Sequence, residues 1–100
     1  MEAQDAQTVF NEIVAFIKQQ NQIYSELYCG IAADWEDRLF NEHHVPKKNH
    51  FRTTRRCYNN KDARAVEKAL HDKGCDGAPG GGDEATVYVY VYRKDTMTNP

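Results

Sequence analysis

The sequence predicts an α+β fold in which three helices pack against a small three-stranded sheet, in the order α-β-α-β-α-β. Two patterns carry this prediction. Apolar residues recur every three to four positions over residues 6–20, which is the period of a helix with one buried face. Valine alternates with tyrosine over residues 86–92, which is the period of a strand with two different faces. The 100 residues are enough for one domain with a single core.

The helices are predicted from their caps as well as from their periodicity. They cover residues 6–20, 34–42 and 60–73. Asp5 or Thr8 can cap the start of the first helix. Asn60 or Asp62 can start the third helix, and Gly74 ends it in the left-handed conformation that suits glycine.

The strands are predicted from runs of β-branched and aromatic residues. They cover residues 22–29, 50–57 and 86–92, and Gly30 ends the first one. Residues 74–84 hold five of the six glycines but lack the Lys-Ser or Lys-Thr pair of a phosphate-binding loop, so we predict a flexible connector. Residues 95–100 are predicted to be a flexible tail of the single domain.

The composition excludes several classes of protein. No run of uncharged apolar residues approaches the ~20 that span a bilayer, and the first five residues carry two acidic residues and no basic one, unlike a secretory signal. Three cysteines, an odd number, fit reduced thiols better than a disulfide framework. We therefore predict a cytoplasmic protein with no membrane partner.

Charge is strongly segregated along the chain, although the net charge is only -2. Residues 1–42 carry eight acidic and two basic residues, whereas residues 43–61 carry six basic residues and no acidic one. The basic residues of this block are Lys47, Lys48, Arg52, Arg55, Arg56 and Lys61. Such a block, interleaved with aromatic residues, is typical of a surface that binds the phosphates of DNA or RNA. Charges that protect a strand edge from aggregation would give the same pattern.

One segment resembles the second half of the GIY-YIG nuclease signature. Tyr28 and Gly30 stand at a predicted strand end as Tyr-x-Gly, and Arg38 follows eight residues after the glycine. In that family a histidine comes next, then a strand, and then a helix that carries a metal-binding glutamate. Glu67 occupies the corresponding place in the third predicted helix. The resemblance covers residues 28–70 and implies a GIY-YIG-like fold.

The histidine of the signature is offset in this chain. It usually falls four residues after the arginine, but Glu42 stands there and the histidines are His43 and His44. One extra residue turns a side chain by ~100° around a helix. His43 therefore matches if the helix ends or widens at this point.

The resemblance also implies an activity, that of a Mg²⁺-dependent endonuclease. Glu67 would bind one Mg²⁺ through its oxygens, and Arg38 would stabilise the charge that grows on the scissile phosphate. Tyr28 would orient or deprotonate the attacking water. The basic block over residues 47–61 would hold the nucleic-acid backbone.

The first half of the signature, a Gly-Ile-Tyr strand, does not precede Tyr28, because a helix stands there instead. The strand over residues 86–92 could take its place beside residues 23–29 and supply Tyr88 or Tyr90 as the missing tyrosine. The domain would then be circularly permuted, and the glycine-rich connector would give the slack that this requires.

Each candidate residue also has a purely structural interpretation. Arg38 can pair with Asp34 or Glu42, both four residues away, and Glu67 can pair with a basic neighbour on its own helix. The tyrosines can pack as core residues or form an aromatic ladder. The alternative function is a non-catalytic module, a monomer or a weak dimer, that binds nucleic acid or protein on the same scaffold.

Overall fold

In the computed structural model, which describes residues 1–78 and 81–100, a four-stranded mixed sheet carries helices on both faces. The strands are β1 (Ala3–Gln4), β2 (Leu27–Ala32), β3 (Arg52–Cys57) and β4 (Tyr88–Arg93). Their order across the sheet is β1-β3-β4-β2, with β1 parallel to β3 and the other neighbours antiparallel. The class is α+β, but the prediction of a three-stranded sheet in the order α-β-α-β-α-β is wrong.

The additional strand, β1, precedes the first helix. Ala3 and Gln4 pair with Arg56 and Cys57 of β3. A strand of two residues is too short to show a period of two, so periodicity could not reveal it.

Two α-helices have side-chain caps at their first residues. α1 (Ala6–Gln19) begins after Asp5, whose carboxylate accepts a hydrogen bond of 2.8 Å from the Thr8 amide. α2 (Asn60–Asp72) is capped by Asn59, one residue before the predicted start. The predicted second helix is present as a π-helix over Asp37–Glu42.

β2 is shifted along the chain from its predicted position. A 3₁₀ turn occupies Tyr24–Glu26, and the strand runs from Leu27 to Ala32. The expectation that Gly30 ends this strand is wrong, because Gly30 pairs with Tyr90 inside the sheet. Part of the predicted connector, residues 75–78, follows the outer edge of β2, where Cys29 donates a hydrogen bond of 2.9 Å to the Asp76 carbonyl. The rest of the predicted connector includes residues 79 and 80, which lie outside the described residues.

The alternation of valine and tyrosine in β4 divides the sheet into a valine face and a tyrosine face. α1 and α2 pack on the valine face and bury Val89 and Val91. The π-helix and the segment after it cover the tyrosine face, where Leu39 and Val45 pack against the tyrosines of β4. The candidate site lies on the tyrosine face.

No helix among residues 1–78 and 81–100 combines the length and the apolar character that crossing a bilayer would require.

Candidate functional site

Several predicted site residues share the tyrosine face because of the strand register. Tyr90 pairs with Gly30 of β2 on one side and with Thr54 of β3 on the other. Tyr28 and Tyr92 form the adjacent row. Paired residues of antiparallel strands point to the same face, so this register places the rings side by side.

The π-helix accounts for the extra residue between Arg38 and His43. The His43 amide donates a hydrogen bond of 2.9 Å to the Arg38 carbonyl, which spans five residues rather than the four of an α-helix. The wider turn places both side chains over the sheet, where each reaches Tyr90. The widening that the offset histidine requires is therefore present.

Arg38, Tyr90 and His43 form a chain of interacting side chains. The charge of Arg38 acts on the Tyr90 hydroxyl, and that hydroxyl lies 2.8 Å from His43 Nε2. His43 Nδ1 lies 2.7 Å from the Asn99 carbonyl oxygen, which can only accept, so Nδ1 carries the proton. Nε2 of the neutral ring must then accept, and the Tyr90 hydroxyl donates to it.

The environment of this group keeps His43 and Tyr90 in their neutral forms beside the charged Arg38. Burial lowers the pKa of His43, and the nearby Arg38 charge lowers it further, so the imidazole is neutral at pH 7. Burial raises the pKa of Tyr90 well above its usual value, and the hydrogen bond from Arg38 opposes this effect. His43 is 7 % exposed and Tyr90 is 1 % exposed. These two residues therefore act on a substrate only through their neighbours.

Tyr28 is the half-buried member of the group. Its ring lies 5.3 Å from that of Tyr92 and 4.7 Å from the His43 imidazole, centroid to centroid. Burial raises the pKa of the Tyr28 phenol, and the charges of Asp76 and Glu67 raise it further. Tyr28 is thus a neutral hydroxyl at pH 7, suited to holding a water molecule rather than to deprotonating it.

Glu67 stands apart from the Arg38–Tyr90–His43 chain. It belongs to α2, which packs on the valine face, and it is 4 % exposed. Its charge nevertheless raises the pKa of both Cys29 and Tyr28 in β2. Glu67 thus acts on Cys29 and Tyr28 of β2 through its charge.

Within residues 1–78 and 81–100, no group of three or more His, Cys, Asp or Glu side chains is placed so that it could hold a metal ion together. Glu67 is thus a single carboxylate. One carboxylate is compatible with Mg²⁺, which commonly keeps several waters and takes further oxygens from substrate phosphates.

A cavity of about 360 Å³ opens beside Arg38. Its charged lining comprises one guanidinium and four carboxylates, those of Asp34, Asp37, Glu42 and Asp83. Glu42 pairs with Arg38 at 3.3 Å, as the structural interpretation of the sequence anticipates. The Arg38 side chain keeps 41 % of its surface exposed, so it is the member of the chain that a ligand can contact.

The predicted basic block is divided between the two faces of the sheet. On the tyrosine side, Arg52 lies over the Phe40 ring and Arg56 over the Tyr88 ring, at 4.9 and 5.9 Å to the centroids. Arg55 belongs to the valine face, where it pairs with Glu12 at 3.3 Å. Three exposed lysines complete the block, Lys47 and Lys48 before β3 and Lys61 in α2.

Tyr88 and Tyr90, the two candidates for the missing tyrosine, have different surroundings. β4 lies beside β2, as the permutation hypothesis requires, and Tyr90 reaches Arg38 and His43. Tyr88 pairs with Ala32 one row away and contacts Arg56 instead. Tyr90 is therefore the better candidate on geometry.

Two residues of the site, Tyr92 and Asn99, were missed by sequence reasoning, and Gly30 was named there only as part of the Tyr-x-Gly motif. Tyr92, whose hydroxyl lies 3.0 Å from His43 Nδ1, belongs to the same alternation as Tyr90 and could have been included on that ground. Gly30 makes room for the Tyr90 ring. Asn99 acts through its backbone, which no sequence pattern identifies.

We compared the chain with protein-family models, with curated proteins and with solved structures, and found no significant match in any of the three. The geometry of the tyrosine face is the basis on which a function can be argued.

Proposed function

We propose that this chain is a phosphodiesterase that cleaves DNA or RNA with the help of Mg²⁺, on a GIY-YIG-like scaffold. The observation that carries the proposal is the interaction of Arg38 with the Tyr90 hydroxyl, which is in turn hydrogen-bonded to the buried His43. A partly exposed guanidinium at the end of such a buried group is a donor suited to the charge that develops on a phosphate during hydrolysis.

Arg38 would contact the scissile phosphate, and Tyr90 and His43 would orient the Arg38 side chain. Tyr28 is the hydroxyl of the cluster that is accessible enough to bind a water molecule beside Arg38. His43 Nε2 accepts the hydrogen bond of the Tyr90 hydroxyl and so fixes the orientation of that hydroxyl. The two buried residues are thus positioning residues, and Arg38 and Tyr28 are the residues that touch the substrate.

Glu67 would hold the Mg²⁺ ion, which supplies charge neutralisation at the phosphate when it is bound. The electrostatic effect of Glu67 on Tyr28 supports this assignment, because it couples the carboxylate to a residue of the cluster. Its burial also restrains the carboxylate, as a metal ligand requires.

The basic residues on the tyrosine side would hold the backbone on either side of the cleavage point. Arg52 and Arg56 flank the row that contains Tyr90, one residue pair to each side. Each lies over an aromatic ring, which limits the directions that its side chain can take. A strand of nucleic acid running along β3 would pass Arg38 between them.

The experiment that tests this proposal is a cleavage assay on end-labelled DNA and RNA, single-stranded, duplex and branched, with Mg²⁺ or with EDTA. We expect cleavage that EDTA abolishes and that the Glu67→Gln variant loses. Glu36→Gln, which changes an exposed carboxylate, is the matched control and should cleave like the wild type. Absence of cleavage of every substrate, under conditions in which the chain is folded, would refute the proposal.

A second candidate function, a non-catalytic module that binds nucleic acid, is favoured by one observation. His43 and Tyr90 are almost completely buried, which suits a structural role, whereas Arg56, Lys47 and Lys48 are exposed. Binding that weakens with salt but is not followed by cleavage would support this function over the first.

A cytoplasmic location accompanies either function. Cys29, Cys57 and Cys75 are all free thiols in the described structure, and all three are buried. Unpaired cysteines are typical of a reducing compartment. Fractionation of cells that express the chain, with an antibody against it, would test this location.

A further inference from the structure

The backbone of Asn99 is bonded to His43 at two points. The Asn99 amide donates to the His43 carbonyl at 2.7 Å, and the Asn99 carbonyl accepts from His43 Nδ1, also at 2.7 Å. The Asn99 side chain makes a longer contact of 3.4 Å to the Glu42 carbonyl. The two short contacts involve the main chain alone, so they do not depend on the side chain at this position.

The segment that carries Asn99 is anchored before it reaches His43. The Asp95 carboxylate accepts hydrogen bonds from the amides of Met97 and Thr98, at 2.8 and 3.2 Å, and so forms a compact turn. The same carboxylate lies 3.5 Å from the ring of the buried His50. The end of β4, which precedes this turn, is also held in place, because His50 Nε2 lies 2.7 Å from the Arg93 carbonyl.

We infer that residues 95–99 are a positioning strap, which selects the Nδ1–H tautomer of His43 and thereby turns Nε2 toward Tyr90 as a hydrogen-bond acceptor. The catalytic consequence of this inference rests on the proposed function. The tautomer itself does not, because it follows from the contact with a carbonyl oxygen.

The tautomer determines the direction of the hydrogen bond between Tyr90 and His43. With the proton on Nδ1, the Tyr90 hydroxyl donates to Nε2, and its oxygen remains available to accept from Arg38. With the proton on Nε2, the Tyr90 oxygen would accept from His43 and its own proton would have no acceptor there. Selecting the Nδ1–H tautomer therefore directs the Tyr90 oxygen toward the guanidinium.

The Tyr92 hydroxyl alone would not fix the tautomer. It lies 3.0 Å from His43 Nδ1, but a hydroxyl can accept or donate, so it is compatible with either form of the ring. The Asn99 carbonyl can only accept, and it is the closer of the two to Nδ1. Removal of the strap should therefore allow both tautomers of His43 to form.

The test combines the nitrogen spectrum of the His43 ring with single-turnover cleavage. Two-bond ¹H–¹⁵N correlation spectra distinguish a protonated Nδ1 from a protonated Nε2. They would be recorded on the full chain, on a variant that lacks residues 98–100, and on Asn99→Ala, which keeps the main-chain contacts. We expect Nδ1–H in the full chain and in Asn99→Ala, and a mixture of tautomers in the deletion variant.

The cleavage measurement separates positioning from general stability. We expect the deletion to lower kcat about tenfold, similar to the loss of one hydrogen bond, with KM and the cleavage pattern unchanged. An Nε2–H ring in the full chain would overturn the inference, even if the deletion variant does not fold. So would a folded deletion variant that keeps the Nδ1–H form or the full kcat. If the full chain does not cleave at all, the proposed function fails, and the spectra alone decide whether the strap sets the tautomer.

Discussion

Gly30 and Tyr90 face each other across β2 and β4, and the tyrosine ring lies over the space that a side chain at position 30 would fill. A Cβ atom placed on Gly30 would come within 2.6 Å of Tyr90 Cζ, inside van der Waals contact. The absence of a side chain at this one position lets the Tyr90 hydroxyl reach both Arg38 and His43.

Gly30→Ala should therefore destabilise the fold and displace Tyr90. Tyr90 is 1 % exposed and cannot move aside freely, so we expect a loss of about 1–3 kcal/mol in the free energy of unfolding, the usual cost of overpacking a core. Urea denaturation followed by fluorescence would measure it. Gly81→Ala is the matched control, because a Cβ there meets nothing within 4 Å. Equal stability of the two variants would contradict this account of Gly30.

Tyr90→Phe should destabilise the chain more than Tyr88→Phe. Removal of the Tyr90 hydroxyl leaves His43 Nε2 without its donor in a buried site, at a cost of about 1–3 kcal/mol. Tyr88 is half-buried and contacts Arg56 with its ring, which the phenylalanine retains. Thermal unfolding of both variants checks the difference, and similar melting temperatures would argue against the hydrogen bond between Tyr90 and His43.

The buried neutral His43 should make stability depend on pH. Its pKa in the folded chain is lowered, so the unfolded chain binds its proton first as the pH falls below the usual value of ~6.5. The contribution of the neutral ring is complete above that pH and is lost as the pH falls toward the folded pKa. The difference in unfolding free energy between the wild type and His43→Gln should therefore shrink between about pH 7.5 and 5.5. A difference that grows on acidification would contradict the lowered pKa.

Nucleic-acid binding should depend on the tyrosine side of β3. Arg52→Ala and Arg56→Ala should each weaken binding and lower the salt dependence of log K by about 1, since each removes one phosphate contact. Arg55→Ala is the control from the same strand, because Arg55 pairs with Glu12 on the valine face. Fluorescence anisotropy titrations at several salt concentrations measure all three variants. An effect of Arg55→Ala as large as that of the other two would place the binding surface elsewhere.

Local sequence patterns predicted most of the fold. Burial against the core requires apolar residues at regular intervals in α1 and β4, and such intervals can be recognised in the sequence. β1 depends on two residues that pair with β3, a contact distant in sequence. The end of β2 was misplaced because glycine usually marks a strand end, whereas Gly30 serves here to admit a large ring from the next strand.

Sequence reasoning named four of the side chains that meet on the tyrosine face, but not how they are arranged. The four residues Tyr28, Arg38, His43 and Tyr90 lie together on the tyrosine face. The sequence could not predict the π-helix that brings Arg38 and His43 together, because no residue pattern specifies a hydrogen bond across five residues. Glu67 belongs to α2, which packs on the valine face, so its buried position in that helix separates it from the tyrosine face. The role of Asn99 rests on backbone atoms, which every residue except proline presents alike.

The proposed function depends most on Arg38, and single-turnover cleavage by Arg38→Ala tests its role. Arg38 is the partly exposed end of the Arg38–Tyr90–His43 chain, so we expect the cleavage rate constant to fall by about 10²–10³, as for the loss of one donor to a developing anion, with the fold intact by circular dichroism. Arg93→Ala, at the far end of β4 on the valine face, should retain the wild-type rate. Equal rates for the two variants, or a loss of binding without any change in the cleavage rate constant, would contradict the account.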